Sequence, residues 1–455
     1  MEFSQSPLQR EVTRVISNGK SEAYYYFSAA LIIEDKRYNF VKVMSLDIVR
    51  DYYDKTSDYL NLIALVPGGT YVKRIYPNRD NLKIEITKVP LTEVGDGNDT
   101  SRSATKTIYK AIMEDTGNPR IEQNAMNVPD EEAMNLTNLL DIRFQLLDLT
   151  YDKLRQIEIG GIYRKLDNEE VMKTVLNEVT TKISVDKEVV GFGVDIVPMK
   201  DKSKREHIIL PSGLKAIDLP SYLQEKCGGI YSTGLGQYLQ DGFWYIFPKF
   251  DYKRFQEVTR TATIINVPAK IMPNIERTYL KEGSDLTILA TGTTRFKDNT
   301  VVEKKQDGNG GRVTSSEKIF EGFTETKNNK TVAKRKENNK EFIVSEKSDK
   351  ENYAPTEKNS ITDNIYSLTS KLAGREGFLI ALTWQNSVPS LIYPGMMVKI
   401  LYLDEGKIRD VIGCVIKAHH FSHPEVAGLI GNRYLTHSGL SVFVENTLDY
   451  DRLVK

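Results

Sequence analysis

Between Leu82 and Val89, the apolar residues Leu82, Ile84 and Ile86 alternate with Lys83, Glu85 and Thr87. A period of two sends one set to a buried face and the other to water, as in an antiparallel sheet solvated on one side. Short aromatic or β-branched runs of this kind recur at both ends of the chain. Near the start they are Tyr24 to Ile33, Phe40 to Leu46, Asn61 to Val66 and Tyr71 to Tyr76. Near the end they are Phe378 to Trp384, Met397 to Leu403, Val411 to Ala418 and Tyr434 to Val444. Glu34-Asp35-Lys36-Arg37 and Pro77-Asn78-Arg79-Asp80-Asn81 read as turns, and Glu93 to Thr107 as an exposed loop. The pattern predicts a mainly β (α+β) chain with antiparallel barrels or sandwiches at both ends.

The middle has a different period. Asp167 stands three residues before Glu170, a capping-box spacing, and Val171, Val175, Leu176 and Val179 then hold one helical face. A second helix is predicted from Pro220, with Leu219, Leu223 and Cys227 four apart and Gly228-Gly229 as its stop. Asp241-Gly242 is a turn before the aromatic strand Phe243 to Phe247. These elements predict an α/β unit between β domains.

Residues 296–360 differ in kind: 26 of the 65 are charged and 14 hydrophobic, a composition that resists burial. Yet Lys327-Asn328-Asn329-Lys330 and Glu337-Asn338-Asn339-Lys340 repeat ten residues apart, and asparagine tolerates the left-handed conformations of hairpin turns. A projecting, solvated β-meander and a flexible insertion both fit. After it, Ser360-Ile361-Thr362-Asp363 opens a helix with Ile361, Ile365, Leu368 and Leu372 on one face and Gly374 as its end.

One echo suggests internal duplication. Pro67-Gly68 precedes Val72 to Tyr76, a turn and Leu82 to Ile86. Pro394-Gly395 precedes Val398 to Tyr402, a turn at Asp404-Glu405-Gly406 and Ile408 to Ile416. The spacing from glycine to valine differs by one residue. Two copies of such a unit would mark two related barrels.

A length of 455 residues suggests about three domains, or two large ones. Lys+Arg and Asp+Glu both total 62, a net charge of zero that argues against specific nucleic-acid binding through a basic face. No apolar run reaches the ~18 residues of a spanning helix, which predicts no membrane segment. The start, MEFSQSPLQR, has no apolar core of a secretory leader. Two cysteines, Cys227 and Cys414, describe no disulfide framework; they predict synthesis in a reducing compartment and are read as core.

Chemistry is sparse. Asn18-Gly19-Lys20-Ser21 ends like a phosphate-binding loop, but Arg14 stands where that loop needs glycine. Gly234-Leu235-Gly236 lacks the third glycine of a dinucleotide fingerprint. Histidine is the one cluster: His419, His420, His423 and His437, with Glu425 nearby, are donors of the type that hold zinc, placed at a strand end. Nothing in the spacing makes them converge. Asp241 and Asp251 serve equally as turn residues, and Trp244 reads as sheet core or as a sugar-stacking platform. No catalytic, cofactor or metal site is predicted, and the chain reads as no enzyme.

The last hundred residues carry a resemblance. A capped helix (Ile361 to Ala373) leads to a strand opened by glycine (Gly377 to Trp384) and then Pro394-Gly395-Met396-Met397-Val398-Lys399-Ile400. A charged turn follows, then a return strand ending Ala418-His419-His420-Phe421-Ser422-His423, and a last strand from Tyr434-Leu435-Thr436-His437 to Val444. In this order they resemble the carboxy-terminal half of the baseplate hub protein of contractile-tailed bacteriophages, related to the base of type VI secretion spikes. Pro220 to Phe247 resembles the middle domain of such hubs, and residues 22–150 match the first barrel in pattern.

The resemblance implies two tube-like antiparallel β-barrels per chain, an α/β middle domain and a homotrimer. The trimer joins a sixfold tail tube to a threefold central spike, lines the ejection channel and contacts other baseplate proteins. It also implies a place in the virion, with synthesis in the host cytoplasm. The expected divisions are a first barrel at 1–155, the α/β domain at 156–250, a second barrel with its helix at 251–295 and 361–455, and the charged insertion at 296–360. That insertion departs from the family, and no fused needle or hydrolase is seen, so the spike is expected as a separate chain. Two other readings stand beside this one: a carbohydrate-binding or carbohydrate-active protein using Trp244, and a metal-dependent enzyme at His419, His420 and His423.

Overall fold

The computed structural model describes residues 7–18, 25–33, 36–91, 104–114, 139–183, 193–200, 202–270, 272, 278–293, 312–313, 324–327, 330–337, 340–345, 377–404, 407–426 and 433–445. Helix α1 (Pro7–Asn18) precedes β1 (Tyr25–Ile33), β2 (Lys36–Asn39), β3 (Lys42–Asp51) and β4 (Tyr59–Pro67). A helical connector at 68–81 leads to β5 (Leu82–Pro90), β6 (Thr105–Met113) and β7 (Leu139–Asp148). The middle of the chain holds α2 (Leu149–Leu154), β8 (Glu158–Leu166), α3 (Asn168–Ile183), β9 (Gly193–Ile196), β10 (Arg205–Lys215), α4 (Leu219–Lys226), β11 (Leu235–Gln240) and β12 (Phe243–Pro248). Then come β13 (Thr261–Asn266), β14 (Tyr279–Glu282), β15 (Asp285–Thr293) and four insertion strands: β16 (Arg312–Val313), β17 (Thr324–Lys327), β18 (Lys330–Glu337) and β19 (Lys340–Ser345). The chain closes with β20 (Gly377–Trp384), β21 (Met397–Asp404), β22 (Lys407–Pro424) and β23 (Tyr434–Glu445).

Hydrogen bonding joins most strands into two closed rings that share β22 and β23. The first runs β22, β3, β4, β7, β6, β5, β1, β23 and back, with every neighbour antiparallel. It closes between β1 and β23 at the single pair Tyr25–Tyr434. Phe27 packs edge-on against Tyr434 there, and the Tyr434 hydroxyl donates to the Val43 carbonyl at 2.7 Å. The second ring runs β13, β21, β22, β23, β20, β15 and back to β13, which is parallel to both of its neighbours. Both interiors are packed solid. Phe27, Leu31, Leu62, Leu82, Ile84 and Phe144 fill the first, and Ile264, Ile288, Leu382, Trp384, Val398 and Val442 the second.

Inward-facing side chains follow the period of two along the ring strands, except at the register shifts of β3 and β22. On their outer sides Ile265 of β13 and Leu289 of β15, with Val267 just past β13, meet Leu8 and Val15 of α1. Across the second ring, Met397, Cys414 and Phe443 are covered by Phe250, with Tyr252, Phe255 and Val258 of the following turn packed alongside. The second ring is thus wrapped on two sides. The first carries Tyr59, Ile112, Leu139 and Phe421 on its surface.

The middle unit has its own core, built from α3, α4, the β8–β10 ribbon and a sheet in which β12 pairs with β11 and, in parallel, with β9. The expected capping box is reciprocal: the Glu170 amide donates to Asp167 Oδ1 at 2.8 Å, and the Asp167 amide to Glu170 Oε2 at 3.0 Å. Such a cap contributes about 1 kcal/mol. Pro220 lies in the first turn of α4, and Leu219, Leu223 and Cys227 are buried. In the insertion, β17, β18 and β19 pair as an antiparallel meander, with Lys327 opposite Lys330 and Glu337 opposite Lys340. Backbone pairing thus takes the meander alternative for that segment.

Several expectations are corrected. Tyr71 to Tyr76 is helical, so the Pro-Gly echo marks no structural repeat. β4 pairs with β3 and β7, and β5 with β1 and β6, so the connector between them crosses the ring's end and makes no hairpin. There Ile75 is wholly buried in the ring's core, a plug that an extended strand would not supply. The two rings also differ in strand number and order, and β13 breaks the antiparallel rule. Lys36 to Asn39 leaves the expected turn to pair with β1. The run Val411 to Ala418 is part of an 18-residue strand that continues through the histidines, because β3 and β23 pair with it on both edges. The expected helix at Ile361 to Ala373 lies outside the described residues.

Candidate functional site

β22 and β23 form one long hairpin. Its Lys407–Cys414 end pairs with β21 in the second ring, and its Lys417–Ser422 part pairs with β3 in the first. A register shift between Val415 and Lys417 marks the passage from one ring to the other. Gly413 suits this place: a Cβ there would lie 2.3 Å from the Phe443 carbonyl oxygen. The seam between rings is therefore covalent and hydrogen-bonded along both strands.

The middle unit locks onto the seam through buried polar groups. Arg50, at the end of β3, places Nε 3.1 Å from Asp58 Oδ2 and donates from Nη1 to the Pro389 carbonyl at 2.9 Å. Tyr238 of β11 donates to Asp58 Oδ1 at 2.9 Å. Tyr52 donates to Gln240 Oε1 at 3.1 Å, and Gln240 Nε2 to the Ile392 carbonyl at 2.9 Å. The Tyr52 and Tyr238 rings meet edge-to-face at 4.8 Å. First ring, middle unit and the segment that plugs the second ring all contribute to this one cluster.

Its electrostatics hold it shut. Burial works against the Arg50 charge, but Asp58 and the other acidic groups around it outweigh that, so the guanidinium is held above its ordinary value. Burial pushes the Asp58 carboxyl up, and Arg50 is the chief opposing influence. Burial likewise raises the Tyr52 and Tyr238 hydroxyls, which stay protonated as donors. Lys88, on the inward face of β5, is lowered to about 8 by burial and by Arg50, and its ammonium lies 3.8 Å from the centre of the Tyr25 ring. Removing one member of a buried pair such as Arg50–Asp58 costs about 3–5 kcal/mol, because the other charge is left unpaired.

The histidines do not converge. Alternation along β22 sends His419 and His423 to the outer face and His420 inward. His419 pairs with Asp47, and His423 lies between the rings of Phe421 and His437, each 5.4 Å away. His420 is fully buried; its Nδ1 is 2.6 Å from Ser438 Oγ, which in turn donates to Ser387 Oγ at 2.5 Å. A hydroxyl beside an imidazole is a nucleophile–base pairing in some sites. Here Ser387, His420 and Ser438 expose no surface at all, so the trio acts as a hydrogen-bonded tie between strands. Among the described residues no three His, Cys, Asp or Glu side chains are grouped to hold a metal.

Other singled-out residues are structural. Trp244 is 3% exposed inside the middle unit, so it presents no face to a sugar. Asp241 occupies a left-handed turn with Gly242, and Asp251 is buried beside Lys200. Both cysteines are free and buried, and burial pushes the Cys414 thiol up to about 12. The Arg50 cluster escaped sequence reading although a signal exists. Strand parity from Leu46 and Ile48 carries Arg50 to the core face, and from Leu82, Ile84 and Ile86 it carries Lys88 inward.

No protein-family model matches the sequence, and no curated protein is similar to it. Among solved structures, the chain is similar to the 43 kDa tail protein of prophage MuSo2 from Shewanella oneidensis, with 11% identity and a TM-score of 0.43 over 91% of this chain and 98% of that one. It is similar to a chain of the Francisella PdpA–VgrG complex, with 9% identity and a TM-score of 0.38, covering 95% of this chain and 60% of that one. A third likeness, with 9% identity and a TM-score of 0.32 over 87% of this chain and 73% of that one, is to the E. coli c3393 protein. That protein is described as a component of the type VI secretion system with structural similarity to the T4 tail proteins gp27 and gp5. None of these figures carries an assembly or a partner over to this chain. No described helix is long and apolar enough to cross a membrane.

Proposed function

We propose that this chain is a non-enzymatic structural component of a phage-type tail baseplate hub. It acts as a homotrimer that joins a sixfold tail tube to a threefold central spike, contacts other baseplate proteins in the virion and bounds the ejection channel. The observation that carries this reading is the β22–β23 hairpin. The motif strands that resemble a hub are the ones that stitch two closed rings into one body. Because both ring interiors are filled with core side chains, a channel has to run between copies of the chain and not through one.

Three copies would present six rings about one axis. An eight-stranded and a six-stranded ring are unequal, so a match to a sixfold partner would rest on outline and not on identical strand order. The β8–β10 ribbon supports self-association. Ile162 and Ile209 stand directly opposite each other across it, 60% and 57% exposed, and exposed apolar pairs of this kind favour burial against another chain.

Light scattering on the purified protein, alone and with a candidate spike chain, tests the proposal. A mass of three times 51.7 kDa and a ring with a central channel in electron micrographs are expected. Ile162→Asp with Ile209→Asp should shift the trimer to monomer while the circular dichroism spectrum is unchanged. A protein that is monomeric under every condition, and never enters a ring with a spike chain, overturns it.

A further inference from the structure

The near end of the second ring is plugged by the segment after β20, with Val388 and Ile392 buried in the core. Beside this plug lies a cavity of about 350 Å3, lined by Leu286, Leu391, Tyr393 and Met396 and edged by Arg260 and Lys281. Leu286 and Met396 belong to the ring's packed core, so the floor is apolar and fixed. Thr261 and Ser284 add hydroxyls at the lining.

The two cations are not spent on the fold. Arg260 lies over the Tyr393 ring at 4.9 Å from its centre, and the Tyr393 hydroxyl donates back to the Arg260 carbonyl at 2.5 Å. That pair of contacts holds the arginine in place, and among the described residues no carboxylate pairs with its N–H donors. Among the described residues no ion pair forms at Lys281 either. On the same hairpin Glu282 is taken by Arg14 of α1, which leaves Asp285 as the remaining acid of that turn.

We infer that this cavity is a binding site for an acidic peptide segment of a partner chain: a carboxylate held at the edge by Arg260 and Lys281, with an adjacent aliphatic side chain seated on Leu286 and Met396. The chemistry selects this class. A bare inorganic anion would gain nothing from the apolar floor, and a purely apolar segment would leave two cations facing it unpaired. A volume of this size accepts one or two residues of a peptide.

The capped peptides acetyl-Gly-Asp-Leu-Gly-amide, its Asn isostere and its Lys analogue provide the test, titrated against the full chain by saturation-transfer NMR. The Asp peptide should saturate with a Kd of about 1 mM or below, and the Asn peptide should bind about tenfold more weakly. Arg260→Glu and Lys281→Glu should each weaken the Asp peptide by about tenfold, and raised salt should weaken it in the unmodified protein. The double variant should instead prefer the Lys peptide, a reversal that a damaged fold would not produce. Equal binding of the Asp and Asn peptides, affinity unmoved by either substitution, or no saturation at about 10 mM overturns the inference. The readout does not depend on oligomeric state, so it stands or falls apart from the trimer.

Discussion

The two rings bury their strands in different ways. In the second, Ile265 of β13 and Leu289 of β15 turn outward and are covered by α1, while the 250–258 segment covers Met397, Cys414 and Phe443 of β21 to β23. In the first, the core is built from inward residues, and the inward face takes on charge toward the seam at Arg50 and Lys88. A ring wrapped by its own chain has little surface left to offer, whereas a ring covered on one face keeps Tyr59, Ile112, Leu139 and Phe421 for others. The contrast separates where stability resides from where contact is made.

The seam is the place where that contrast is most easily broken. Arg50→Met is expected to lose about 3–5 kcal/mol in urea unfolding, because Asp58 stays buried without its partner. Adding Asp58→Leu should restore much of it. A loss below about 1 kcal/mol for the single variant would mean that the joint is held by packing alone.

Next in size is Gly395→Ala, expected to lose about 2–4 kcal/mol. Its backbone is left-handed, with φ of 69°, and an added Cβ would lie 2.5 Å from the Phe247 ring. Phe247→Leu in the same chain should recover the steric part, and an unchanged melting temperature for Gly395→Ala would show that the middle unit does not press on the second ring there. In the wrapped ring Val15→Asp should cost about 2–4 kcal/mol by setting a charge against Ile265 and Leu280.

A smaller effect is a slope with pH. His420 is held well below 6.5, first by burial and then by Arg50. Below 6.5 the unfolded chain takes up a proton that the folded chain refuses. The stability from neutral His420 is therefore full above pH 6.5 and falls as pH drops toward the folded value, by at most about 1.4 kcal/mol per pH unit. His420→Gln should flatten the loss between pH 7 and 5, and parallel slopes for both proteins would refute the assignment. Smallest of all, Ile112→Ser and Tyr59→Ser on the bare face should change stability by about 0.5 kcal/mol or less. Their effect should appear in sedimentation as weaker association.

Much of the secondary structure was legible from local chemistry. The alternation at Leu82 to Val89, the Asp167–Glu170 box, the Pro220 helix and the Asp241-Gly242 turn all form where their residues place them. Val72 to Tyr76 misled because β propensity is weak beside topology: a connector that must cross a ring's end and plug it with Ile75 folds as helix. His419, His420 and His423 were expected at a strand end and not to converge; they lie within β22, where neighbours point to opposite faces.

Local sequence determined which segments are strands, which faces turn inward and where the helices are capped, because those depend on residues a few positions apart. Only the tertiary structure decided that Tyr25 closes against Tyr434, that two unequal rings share one hairpin and that Arg50 meets Asp58, Tyr238 and the plug of the second ring. The physical reason is range. Pairings hundreds of residues apart are chosen by the joint burial of whole faces and by charges that must find partners once buried, and neither quantity resides in any short stretch of the chain.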